Sequence, residues 1–199
     1  FIRRTAVKVF VQLADELAVC QELLPGLDGR IWNYAVDAMM QAIREETVKN
    51  TAGEDIWKPL FLNQLWAFAQ TSEEFRMTMY GWLIQLQDIR GLRAYRELLE
   101  QKQEIPESDI YAGPIESIAM VEDPVLWPEL TRLTELCLCP EFRDREFCGL
   151  STYLPRALNN VAAESEEGYR FVRDILEGQR KIYKGDLQKE AWINLWVED

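Results

Sequence analysis

IWKPLFLNQLWAFAQ (56–70), followed by TSEEFRMTMYGWLIQLQDI (71–89), is the stretch on which the fold reading turns. Trp57, Leu60, Phe61, Leu62, Leu65, Trp66, Phe68 and Ala69 fall at helical spacing, with Lys58, Asn63 and Gln64 as the polar interruptions, so most of this helix is expected to be covered. Thr71 with Glu74 three residues on reads as a capping box that starts a second helix, carried to Ile89 by Phe75, Met79, Trp82 and Leu86. Together the two make a helical hairpin.

The same four-three spacing recurs on both sides. Ala6, Phe10, Leu13, Leu17, Cys20 and Leu24 predict an amphipathic helix that Pro25, Gly26 and Gly29 end. A second helix is expected from about Ile31 to Val48. Beyond Gly91, Leu92, Tyr95, Leu98 and Leu99 predict a further helix to about Gln103. Residues 104–114 carry Pro106, Gly113 and Pro114 and read as the longest loop, with Pro114 opening a short helix. Pro128 suits the first turn of the next helix, and Ser151 is expected to open another in which Pro155 is tolerated only near the start. Ser165 with Glu166 and Glu167 starts the penultimate helix, and the last presents Trp192 and Trp196. No alternating strand pattern occurs. The expectation is a single all-α domain over 1–199, an irregular α-solenoid-like array of about ten helices, or alternatively a compact helical bundle.

IRRTAVKVFVQLAD (2–15), together with the spacing of the helix pairs 2–48, 56–89, 92–122, 128–161 and 165–198, resembles the armadillo and HEAT repeats. That resemblance implies stacked helix pairs and a role in binding other proteins.

Composition narrows the function classes. The chain has 34 acidic and 22 basic residues and a formal charge of -12, which disfavours nucleic acid through long-range repulsion of phosphate. No run is long and apolar enough to span a membrane. Four cysteines in apolar helical segments point to a reducing compartment, cytoplasm or nucleus. The chain begins at Phe1 without an initiator Met and reads as part of a larger protein, with Trp192 and Trp196 suited to packing on neighbouring chain.

The absence of His removes the commonest general base, the Ser-His and Cys-His nucleophile pairs and imidazole metal ligands. No phosphate loop or GxGxxG occurs. Cys137, Cys139 and Cys148 lack the usual zinc-knuckle spacing and read as small buried apolar residues. The expectation is therefore no enzyme, no cofactor and no metal.

Residues 97–123 hold eight acids against the single base Lys102 and read either as a solvated loop kept soluble by its charge or as a face for a basic protein or peptide, with Glu104, Glu107 and Asp109 as contacts and Tyr111 and Trp127 as anchors at its edges. Trp127, between Pro124 and Pro128, is expected to be the most exposed tryptophan. Arg90, Arg93 and Arg96 recur on one side of a helix, where they either hold a carboxylate or phosphate of a partner or, for Arg93 and Arg96, pair with Glu97 and Glu100. The functional expectation is an intracellular scaffold or interaction module. Its alternatives are an all-α regulator of a small GTPase or similar switch protein, acting through an exposed Arg or Glu, and a ligand-binding regulator with Met39, Met40, Met77 and Met79 around a pocket.

Overall fold

The computed structural model describes residues 5–6, 9–10, 16–44, 57–101, 114–137, 148–162 and 165–176. Those residues are all-α, with no strand among them. The chain divides into two compact units, Phe1–Met79 and Tyr80–Asp199.

In the first unit α1, Glu16–Ala18, runs on as a π turn, Val19–Leu23, and a 3-10 turn, Leu24–Gly26. Pro25 sits in the first turn of that 3-10 segment, where its missing N–H costs nothing. Cys20 and Leu24 are buried as the periodicity requires, whereas Phe10 is half exposed. Gly29, expected to end the first helix, instead begins α2, Gly29–Arg44, behind an Asp28 cap whose carboxylate accepts from the Ile31 N–H at 3.2 Å. Trp32, Ala35, Val36, Met39 and Met40 form its buried face, so these methionines serve as packing side chains.

The helix that opened the sequence reading is α3, Trp57–Thr71, and it lies against α1 and the π turn. Its fully buried line is narrower than expected. Phe61, Leu65 and Ala69 are completely covered at i, i+4 and i+8, while Trp57, Leu60, Leu62, Trp66 and Phe68 are only partly covered. The large flanking rings find partners along their faces: Trp32 stacks on Phe68 at 3.9 Å between centroids, and Phe68 lies 6.0 Å from Phe75. Each such pair contributes about 0.5–1.5 kcal/mol beyond area burial.

The capping box does not form. Thr71 is the last residue of α3, and its hydroxyl donates back to the carbonyls of Ala67 and Phe68, both at 3.2 Å. That hydroxyl is turned back on its own last turn, and the next helix, α4, starts later, at Arg76. It crosses the boundary between the units and ends at Gln85 rather than Ile89.

The termination of α4 is a Schellman motif. The Asp88 N–H donates to the Leu83 carbonyl at 2.8 Å and the Gln87 N–H to the Ile84 carbonyl at 2.9 Å, with Gln87 left-handed at φ 60. Asp88 then caps α5, Ile89–Glu100, by accepting from the Arg90 N–H at 2.9 Å. Gly91 allows α5 to leave α4 closely, because a Cβ there would sit 2.6 Å from the Leu83 Cβ and 2.9 Å from the Tyr80 carbonyl oxygen.

The rest of the second unit is α6, Pro114–Ile118; a 3-10 turn, Pro124–Leu126; α7, Trp127–Cys137; α8, Cys148–Ala162; and α9, Glu166–Leu176. α8 packs on α6, α7 and α9, while α5 packs on α6, α7 and the 3-10 turn. Tyr95, Leu99, Ile115, Ile118, Leu130, Leu133, Leu154, Leu158 and Val161 are buried between them.

Pro155 lies in the middle of α8 instead of near its start. Proline inside a helix costs about 3 kcal/mol, a cost here offset by burial of Leu154, Ala157, Leu158 and Val161 around it. Ser165 caps α9 as expected, its hydroxyl accepting from the Gly168 N–H at 2.9 Å. The segments around Trp192 and Trp196, and the loop carrying Glu104, Glu107, Asp109 and Tyr111, lie outside the described residues.

Candidate functional site

The arginine stripe faces a residue far along the chain. α5 and α7 pack together, and Glu129 in the first turn of α7 points into that contact with only 1% of its surface exposed. Its carboxylate accepts from Arg93 Nε at 3.0 Å and Arg96 Nε at 2.9 Å. Arg96, itself buried, also reaches Glu100 at 2.6 Å and Glu97 at 3.5 Å. The expected helical pairing thus occurs at Arg96, whereas Arg93 takes Glu129 across the interface. Arg90 turns back on Asp88 at 2.6 Å.

These contacts set the protonation of the cluster. Burial alone would raise the Glu129 carboxyl, but hydrogen bonds from Arg96 and Arg93 outweigh it and hold the group below the usual range. Burial likewise opposes charge on Arg96, and bonds to Glu100 and Glu129 raise its affinity for the proton. At Arg90 the hydrogen bond to Asp88 is the main reason that its proton is held more tightly. All three arginines are therefore engaged within the second unit.

Trp127 is only 8% exposed, contrary to the exposure expected from its flanking prolines. The 3-10 turn directs both Leu126 and Trp127 inward, and the indole meets Phe171 edge-on at 5.3 Å and 83°. The two rings floor an open groove of about 400 Å³ between α7 and α9, whose sides carry Arg132, Glu135, Glu167 and Arg170. Its cations are already paired, Arg132 with Glu129 at 3.4 Å and Arg170 with Glu166.

The described end of the acidic segment is more distinctive. Glu116, Met120, Glu122, Asp123, Pro124 and Val125 are exposed within ten residues of chain, with Met120 at 47% and Val125 at 57%. This ridge is braced by side-chain amides. Gln87 Nε2 donates to the Met120 carbonyl at 2.8 Å, and its Oε1 accepts from the N–H groups of Glu122 and Asp123 at 3.0 and 3.1 Å. From α8, Asn160 Nδ2 donates to the carbonyls of Ala119 and Val121, both at 3.3 Å. Gln85 Nε2 donates to Ser117 Oγ at 2.9 Å.

Sequence reasoning did not single out Glu129, Gln87, Met120 or Val125. Glu129 carried a usable signal, an acid four residues before Leu133 on an otherwise apolar helix face. Among the described residues no group of acids and cysteines is arranged to hold a metal ion, and Cys20 is a buried thiol that donates to the Trp57 carbonyl at 3.7 Å. None of the described helices is long and apolar enough to cross a membrane. No family model, curated protein or solved structure matches the chain.

Proposed function

We propose that this chain is a protein–protein interaction module, a scaffold part of a larger cytoplasmic or nuclear protein, which docks a basic partner on its acidic face. The observation that supports this reading best is the ridge of exposed Met120 and Val125 set among Glu116, Glu122 and Asp123. From Gln103 to Thr131 the chain has no basic residue to neutralise it. Apolar anchors inside a charged rim are the arrangement that partner surfaces use, the anchors for affinity and the charges for approach and register. The stacking of helix pairs in the manner of armadillo and HEAT repeats belongs to the same proposal.

The test is a titration followed by two-dimensional NMR, with a lysine–leucine amphipathic peptide and a glutamate–leucine peptide of the same length. Shifts confined to residues 116–125, seen with the basic peptide and abolished by Met120→Ser with Val125→Ser, are expected. Scattered shifts, or equal response to the acidic peptide, would refute the proposal.

A further inference from the structure

We infer that residues 119–125 are a preshaped docking ridge and that Gln87 is its positioning residue, fitting a peptide in which lysine or arginine flanks an apolar side chain; this rests on the docking reading above. Gln87 is left-handed at φ 60, a conformation that costs a non-glycine residue about 1–2 kcal/mol and that glycine would adopt freely. Ending α4 needs only a left-handed residue, and glycine serves that purpose in most such motifs.

What glutamine adds is reach. Its amide uses the donor on the Met120 carbonyl and the acceptor on two successive N–H groups, those of Glu122 and Asp123. With Asn160 on Ala119 and Val121, every residue from Ala119 to Asp123 has a backbone group held by a side-chain amide from outside the turn. The Asp123 carboxylate then accepts from the Val125 N–H at 2.9 Å. The backbone between the two exposed apolar side chains is thus fixed before any partner arrives, so binding loses less entropy.

The clasp also sets the chemistry that the ridge displays. Its Glu122 and Asp123 N–H groups are consumed by Gln87, leaving carboxylates as the charged groups that face outward beside Met120 and Val125. Such a surface takes hydrogen-bond donors of positive charge, with an apolar side chain between them.

Gln87→Gly separates clasp from fold, because it relieves the backbone while deleting the four hydrogen bonds of the side chain, three to the ridge and one at 3.5 Å to the Gln85 carbonyl. With the lysine–leucine peptide as probe, this variant is expected to unfold cooperatively near the wild-type temperature. Its Glu122 and Asp123 amides should exchange with solvent at least about tenfold faster, and the peptide should bind about five- to tenfold more weakly. The salt dependence of binding stays as in wild type, since no charge changes, whereas Glu122→Gln reduces it. Faster exchange with unchanged affinity would overturn the positioning role and leave docking intact, and unchanged exchange would overturn the clasp itself. If wild-type shifts do not localise to 116–125, the docking reading fails. Should Gln87→Gly not fold, Asn160→Ser loosens the same turn from α8 and is read by the same two measurements.

Discussion

Replacing Glu129 by glutamine tests whether the buried cluster between α5 and α7 holds the second unit together. Glutamine keeps the volume and one acceptor but turns an NH2 group toward one of two guanidinium donors at 2.9–3.0 Å. Breaking a buried ion pair costs about 3–5 kcal/mol when the remaining charge is orphaned. Here Arg96 keeps Glu100 at 2.6 Å, and the Arg93 side chain, 49% exposed, returns to water. The cost of Glu129→Gln is therefore expected at the low end, about 2–3 kcal/mol. Arg93→Ala, screened by solvent, should cost at most about 1 kcal/mol. Glu129→Leu combined with Arg96→Met, which removes both buried charges, should recover most of the loss. Urea unfolding at neutral pH measures all of these as a change in midpoint at constant slope. A Glu129→Gln variant within about 0.5 kcal/mol of wild type, or an Arg93→Ala variant equally damaged, would refute the assignment.

Acid should weaken the same contact. The Glu129 carboxyl is lowered in the folded chain, so as pH falls below the ordinary value of about 4.3 the unfolded chain takes up the proton first. The stability from this group falls until the lowered folded value is passed, and a pH series of urea midpoints should show a shallower acid limb in Glu129→Gln. Gly91→Ala brings a Cβ within 2.6 Å of the Leu83 Cβ, and overpacking of that kind should lower stability by about 1–3 kcal/mol in thermal unfolding. Ser165→Ala removes the cap on the Gly168 N–H and should cost about 0.5–2 kcal/mol, with Ser165→Asp restoring most of it.

Helix positions were legible where apolar residues kept the four-three period, as in α2, α3 and α5, and where start signals stood, Pro128 for α7 and Ser165 for α9. The boundaries misread were those set by groups that a local pattern does not carry. The break after Gln85 has no glycine or proline, so Leu86 and Ile89 read as continued helix; the chain leaves instead through a strained Gln87 whose compensating contacts lie more than thirty residues away. Pro155 argued for a late helix start, yet burial around it supports an uninterrupted one. Thr71 and Glu74 had the spacing of a capping box, and the hydroxyl found nearer acceptors in its own helix.

The site was legible in its charge and not in its geometry. The run of acids around Glu116, Glu122 and Asp123 is plain in the sequence, but the exposure of Met120 and Val125 depends on which neighbours are buried by α5 and α8. Arg93 and Arg96 read equally well as a partner site or as internal pairs, because the deciding residue, Glu129, is more than thirty positions further on. Prolines on both sides of Trp127 suggested an exposed turn, whereas the 3-10 turn directs the indole inward onto Phe171, more than forty residues further on.

The two aromatic contacts of Trp32 and Trp127 give each unit its own optical reporter. Trp32 is 3% exposed and lies flat on Phe68 in the first unit, while Trp127 is held edge-on against Phe171 in the second. Asymmetric, immobile rings of this sort give strong near-ultraviolet dichroism that vanishes when packing is lost, even where helix content survives. In chains that keep only Trp32 or only Trp127 of the seven tryptophans, emission from Trp32 follows melting of residues before Tyr80, and emission from Trp127 follows melting of those after it. Coincident curves would make the whole chain a single cooperative folding unit, and separate curves would resolve two.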